Sequence, residues 1–184
     1  MGMNCNHKRR EFLVSTSGFA ALSLLGVSHG GQEGSPPLDR RVVTGLNELG
    51  KSAIVSDGAV PAAARYSELG KASGSDLWLE KVVPVDNADK TDPMADYSLQ
   101  AWPPSGGVIV RTATWEPGFS YPMHRSDTID FFFVISGRIE LILEDGSTIL
   151  ESGDSVVQRG TNHAWRVVGP DPCRFAAVLV SAVS

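Results

Sequence analysis

The chain has 184 residues, and its 16 basic and 21 acidic side chains give a formal net charge of −5. An acidic balance argues against nucleic acid as a partner, because phosphates demand a basic face, and against an anionic membrane surface. Cys5 and Cys173 are the only cysteines, too few for a thiolate metal cluster or a disulfide framework.

Residues 1–30 read as a targeting leader. Lys8-Arg9-Arg10 precede Phe12-Leu13, and a weakly apolar run follows to Val27, interrupted by Ser15, Thr16, Ser17 and Gly18. Arg-Arg-x-Phe-Leu resembles the bacterial twin-arginine signal, which exports folded proteins. The run is too short and broken for a permanent membrane span. The expected location is periplasmic or secreted, or cytoplasmic if the leader is not a working signal. Removing it takes away Cys5, so that Cys173 stands alone, and leaves about 154 residues with a net charge of roughly −7, enough for one sizeable core. No membrane association is expected after removal.

Residues 31–39 form a polar linker rich in Gly and Pro, and 40–184 are read as one domain. Arg41–Thr44 and Ala53–Ser56 are expected as short strands around Gly45–Gly50. Pro61 to Ser75, rich in Ala, Gly and Ser, suggests a loop or short helix, and Leu77–Val83 another strand. Asp86 to Pro104 carries four Asp and three Pro and reads as a long connection, of the kind that covers functional sites.

From Gly106 the pattern becomes regular. Val108–Trp115, Asp130–Ile135, Arg138–Leu143, Thr148–Leu150, Ser155–Gln158, His163–Val168 and Phe175–Ala182 predict about seven short strands, with Asp145-Gly146 as a hairpin turn. This spacing predicts an all-β barrel or double-sheet roll with its core at 106–184 and extra strands before it. Phe131, Phe132 and Phe133 are expected in the core, two on one face and one on the other.

The chemistry-bearing residues cluster in two places. Gly118-Phe-Ser-Tyr-Pro-Met-His124-Arg-Ser126-Asp-Thr-Ile-Asp130 precedes Gly137 by six residues, and Gly153-Asp-Ser-Val-Val-Gln158-Arg-Gly160-Thr-Asn-His163-Ala-Trp165 follows. Strand residues two apart share a face, so His124, Ser126 and Asp130 can point one way, as can His163 and Trp165. In a closed barrel these faces meet inside. Two imidazoles and one carboxylate there make a set for Fe(II), Mn(II) or Zn(II) with open positions. Tyr121, Phe132, Gln158 and Trp165 are the expected pocket residues. The competing structural roles are a core histidine at 163, a backbone-capping aspartate at 130, and a His124 paired with Asp127 or Asp130. Arg125 and Arg159 are read as loop residues that could also clamp a carboxylate.

The two motifs resemble the halves of the cupin signature, and the resemblance extends over roughly residues 39 to 184, including Arg40-Arg-Val-Val-Thr-Gly45 and Leu77-Trp78. His124 matches the first histidine, Asp130 the glutamate and His163 the histidine of the second motif, while Ser126 stands where a second histidine is usual. The combination of Met-His-Arg-Ser with Val-Gln-Arg-Gly-Thr-Asn-His-Ala-Trp is similar to a subgroup found in bacteria and in fungal secondary metabolism, often labelled oxidoreductases. The resemblance implies a cupin-type jelly-roll barrel, a small organic molecule as partner, and pairing into a homodimer through edge strands. It also implies metal-dependent oxidoreductase, isomerase or lyase chemistry. Two other functions stay open: a metal-free cupin with His124 and His163 as acid and base, or a non-catalytic periplasmic binding module.

Overall fold

A computed structural model describes residues 39–183 except Leu69. The leader at 1–30 and most of the linker lie outside the described residues. Within them no helix is long and apolar enough to cross a membrane.

Twelve strands, all paired antiparallel, make up the described chain. They are β1 (Arg40–Leu46), β2 (Ser52–Ala59), β3 (Arg65–Glu68), β4 (Ala72–Glu80), β5 (Val108–Trp115), β6 (Ser120–His124), β7 (Thr128–Ser136), β8 (Arg138–Leu143), β9 (Gly146–Glu151), β10 (Ser155–Arg159), β11 (His163–Val167) and β12 (Cys173–Ser181). A six-stranded sheet runs β10-β7-β12-β5-β4-β3, a four-stranded sheet β6-β11-β8-β9, and β1-β2 form a separate ribbon. The two larger sheets meet in one apolar core, as in a jelly roll. Phe132 of the first stacks on Trp165 of the second, ring centroids 4.6 Å apart. The all-β class and the N-terminal strands follow the expectation.

Neighbouring antiparallel residues share a face, so the pairing registers define the inner surface of the large sheet row by row. One row runs Asp76, Arg111, Ala177, Phe132 and Val156 across β4, β5, β12, β7 and β10. The next runs Leu79, Ile109, Leu179, Asp130 and Gln158. Polar groups in an otherwise apolar layer are the first sign of a site.

Three differences from the sequence reading stand out. Pro61 to Ser75 is not a loop or short helix alone, because after a 3-10 turn at Ala62–Ala64 the chain forms β3 and the first half of β4. These Ala-, Gly- and Ser-rich residues are strand because β5 offers β4 an edge and β4 offers one to β3, tertiary contacts that override weak propensity. Asp39, read as the end of the linker, belongs to the fold: it accepts from Thr112 Oγ1 at 2.7 Å and pairs with Arg174 at 2.5 Å. Of the three phenylalanines only Phe132 is core; Phe131 and Phe133 lie outside, 38% and 46% exposed.

Gly137, between β7 and β8, has φ 77°, and a Cβ there would sit 2.3 Å from the Pro172 carbonyl oxygen. Glycine alone permits this turn and this approach. Residues 81–107 carry no strand, and Arg41 holds this connection near its middle through Asp92, at 2.9 and 2.5 Å.

Candidate functional site

β6 and β11 pair so that His124 and His163 are opposite one another, with a register irregularity between His163 and Trp165. The imidazoles consequently lie side by side, centroids 4.2 Å apart. Each ring is fixed in the same manner: Nδ1 contacts the main-chain carbonyl two residues earlier, His124 on Pro122 at 2.9 Å and His163 on Thr161 at 2.8 Å. A carbonyl can only accept, so in the neutral rings Nδ1 carries the proton and Nε2 offers its lone pair. His163 is only 2% exposed, and burial lowers its pKa below the ordinary value, with His124 adding to the effect and the Thr161 carbonyl and Asp130 opposing it.

Asp130 lies inside β7 with its Oδ1 buried and without a hydrogen-bond partner. Burial pushes its carboxyl above the usual range, opposed by Thr128 and by the charges of His163, Arg111 and His124. Thr128 Oγ1 also donates to Ser126 Oγ at 2.8 Å. Ser126 is thus a buried structural partner and does not reach the cavity wall.

A cavity of about 380 Å³ gathers these groups, with Arg111, Asp130, His124, His163, Trp115 and Tyr121 in its wall. Phe132 and Trp165 line it as expected. Gln158 does not: its Nε2 donates to the Thr161 carbonyl at 3.2 Å and to Thr161 Oγ1 at 2.6 Å, steadying the loop whose carbonyl orients His163. A larger cleft of about 860 Å³ lies between the β1-β2 ribbon and the 81–93 segment, but none of the buried polar groups named above opens into it.

Arg111 is the residue that the sequence reading missed. It alternates with Ile109, Ala113 and Trp115 on the inner side of β5, and a lone arginine at that parity was the available signal. Its Nε lies 3.0 Å from Asp76 Oδ1, a charge contact too poorly aligned to count as a hydrogen bond. Its Nη2 donates to the Gln100 carbonyl at 2.9 Å and to Asp76 Oδ2 at 3.3 Å. Asp76 is fully buried and also accepts from the Tyr97 hydroxyl at 2.5 Å. Burial drives its carboxyl upward, while Arg111 and Tyr97 hold it down. Arg125 and Arg159 sit away from the cavity, Arg125 exposed and 3.9 Å from Asp127. The long connection covers the site as expected, contributing Leu99, Gln100, Ala101 and Trp102.

The Cupin domain family model matches residues 111–180, from Arg111 through both histidine motifs. The chain belongs to the cupin superfamily. Among curated proteins, this cupin is 42% identical over 88 residues to Phomopsin biosynthesis cluster protein C' of Diaporthe leptostromiformis, covering 45% of this chain and 47% of that one. It is 35% identical over 130 residues to Cupin-domain-containing oxidoreductase srdD of Neurospora crassa, covering 68% and 64%. Against Cupin-domain-containing oxidoreductase virC of Hypocrea virens it is 27% identical over 186 residues, covering 95% and 88%. The cupin spans about half the length of the first of these relatives.

The expected metal set does not close. Each donor suits the task singly, Asp130 by its orphaned oxygen and the histidines by their anchored Nδ1. Yet among the described residues no three His, Cys, Asp or Glu side chains gather as a metal-holding group. His124, Asp130 and His163 share a cavity, but a three-ligand Fe, Mn or Zn site is not evident in this arrangement.

Proposed function

We propose that this cupin is an enzyme acting on a small organic molecule, and that His163, His124 and Asp130 move protons on it without a metal. The observation that carries this reading is the juxtaposition of two imidazoles, each with Nε2 outside any hydrogen bond among the described residues, and a buried carboxyl with one oxygen unpartnered, in one aromatic-walled cavity. Burial shifts the two key groups in complementary directions: it keeps His163 neutral, with a lone pair able to accept a proton, and it favours the protonated form of Asp130. His163 Nε2 takes a proton from an activated carbon as the Asp130 carboxyl gives one to the adjacent carbonyl oxygen. An isomerisation is completed when His163 returns its proton to a different carbon as the Asp130 carboxylate takes back the enol O–H proton. An elimination is completed when the enol expels a neighbouring leaving group, which takes the His163 proton, while the O–H proton returns to Asp130. The oxidoreductase names of two relatives support an enzyme over a passive binding module.

Proton abstraction is measurable without the natural substrate. Indanone and related enolisable aryl ketones in D₂O should exchange their acidic C–H faster with the protein present. His163→Ala should remove that acceleration, a loss of about 10²-fold or more. Exchange untouched by His163→Ala contradicts the reading. A metal-dependent enzyme is the second reading, favoured by the orphaned Asp130 oxygen. Stoichiometric Fe, Mn or Zn in the purified protein, with a melting temperature lowered by chelation, would establish it instead.

Export through the twin-arginine route is proposed separately. Arg9→Lys with Arg10→Lys should retain the protein in the cytoplasm, and an unchanged periplasmic yield would refute it.

A further inference from the structure

Resting on the reading of this cavity as the site, we infer that Arg111 is a substrate-binding residue and that the ligand is a flat aromatic or conjugated carboxylate. A guanidinium inside an apolar barrel is retained against a large desolvation penalty and needs partners for all five N–H groups. Here the partners cover only one side. Asp76 and the Gln100 carbonyl both accept from Nη2, Nε makes only a charge contact with Asp76 and is buried without a hydrogen bond, and among the described residues no hydrogen bond engages Nη1.

What lies before the free side is space. Ala177 is the in-register neighbour of Arg111 on β12 and separates it from Phe132 on β7. Its small side chain, itself in the cavity wall, leaves the charge facing the opening rather than packed side chains. Simple neutralisation of Asp76 needs no such opening, and Asp76 itself does not line the cavity. The buried Asp76, held in turn by Tyr97, acts as the anchor that fixes the guanidinium plane. A planar guanidinium with a free N–H edge matches a carboxylate better than it matches a neutral carbonyl.

The remaining walls define the body of the ligand. Trp115 and Tyr121 are nearly parallel, 13° apart with centroids at 6.1 Å, and Phe132 and Trp165 are parallel to within 13° at 4.6 Å. Phe175 packs its edge on Trp115 at 4.8 Å and its face near Phe132 at 4.2 Å, so these rings brace each other. Phe132, held between Trp165 and Phe175, backs the wall, and the more exposed Tyr121 beside Trp115 gives the flat surface on which a flat ligand stacks at little entropic penalty. A molecule lying along them would place its acid end at Arg111 and its reacting carbon toward Asp130 and His163.

The probe pair is 2-naphthoate and 2-naphthamide, alike in shape and differing in charge, titrated by calorimetry and by fluorescence of the cavity tryptophans. Wild-type protein should bind the acid at least about tenfold more tightly than the amide. Arg111→Met should erase the preference, Arg111→Lys should keep part of it, and His163→Ala should keep it all. Because Arg111→Met strands Asp76, the double variant Arg111→Met/Asp76→Asn removes both charges and should show the same erasure. Equal affinities in wild type, no naphthoate binding at millimolar concentration, or a preference surviving in the double variant each overturn the inference. Naphthoate preference without histidine-dependent deuterium exchange would sink the catalytic reading and leave the anion site standing. Histidine-dependent exchange with no charge preference would do the reverse.

Discussion

Strand β7 has two apolar faces with opposite fates. Phe132 and Val134 point inward beside Asp130 and are 5% and 4% exposed, whereas Phe131, Phe133 and Ile135 point outward and are 38–47% exposed. Hydrophobicity alone does not distinguish the two faces, since both read as core. What separates them is the company kept in register: the inner rows carry Asp76, Arg111, Asp130 and Gln158, while the outer row through Phe133 carries Ala176, Thr112 and Ser75, none of them ionisable. On β7 it is the carboxyl of Asp130, in the cavity wall with Phe132, that marks the inner face.

The largest expected effect sharpens that contrast. Phe132→Ala should destabilise the fold by about 3–5 kcal/mol, because it leaves a void between Trp165 and Phe175. Phe133→Ala, one residue away and exposed, should change stability by less than about 1 kcal/mol. Urea denaturation of both variants decides it, and equal losses would break the comparison.

Asp130→Asn comes next, and its sign depends on pH. The wild-type carboxyl has a folded pKa raised above its ordinary 3.8 by burial. The stability it contributes is therefore fully present below 3.8 and lost as pH rises through the folded value. Removing the charge should raise the melting temperature at neutral pH, with the gain fading as pH falls below the carboxylate range. A metal held by Asp130 predicts the opposite, a loss at neutral pH. His163 runs the other way: its lowered pKa gives stability present above 6.5 and lost as the solution is acidified through the folded value.

The β1-β2 ribbon supplies the smallest effect. Val42, Leu46, Ile54 and Val55 are 45–63% exposed on it, consistent with the expected pairing of two copies. Sedimentation at micromolar concentration should give a dimer, weakened by Ile54→Asp; a monomer throughout would contradict it.

Much of this was legible before the structure. β5 begins and ends at Val108 and Trp115, as its β-branched run indicates, and the motif spacing put His124, His163 and Asp130 in one cavity. The rest depended on contacts that no local pattern carries. Arg111 acquires its role from Asp76, 35 residues earlier, and from Gln100 on a connection without regular structure. Gln158 shares its face with Asp130, yet its amide is taken by Thr161 three residues later, so parity placed it correctly and misjudged its function. β3 and the start of β4 exist through pairing alone.

The central claim, a metal-free proton-transfer pair, is tested most directly by the ¹⁵N spectrum of the histidine rings in purified protein at neutral pH. The account predicts a neutral His163 with its proton on Nδ1 and an unligated Nε2, and the signal should titrate below the ordinary value of 6.5. A His163 Nε2 resonance shifted by metal coordination, restored to the free value only by chelation, would contradict it.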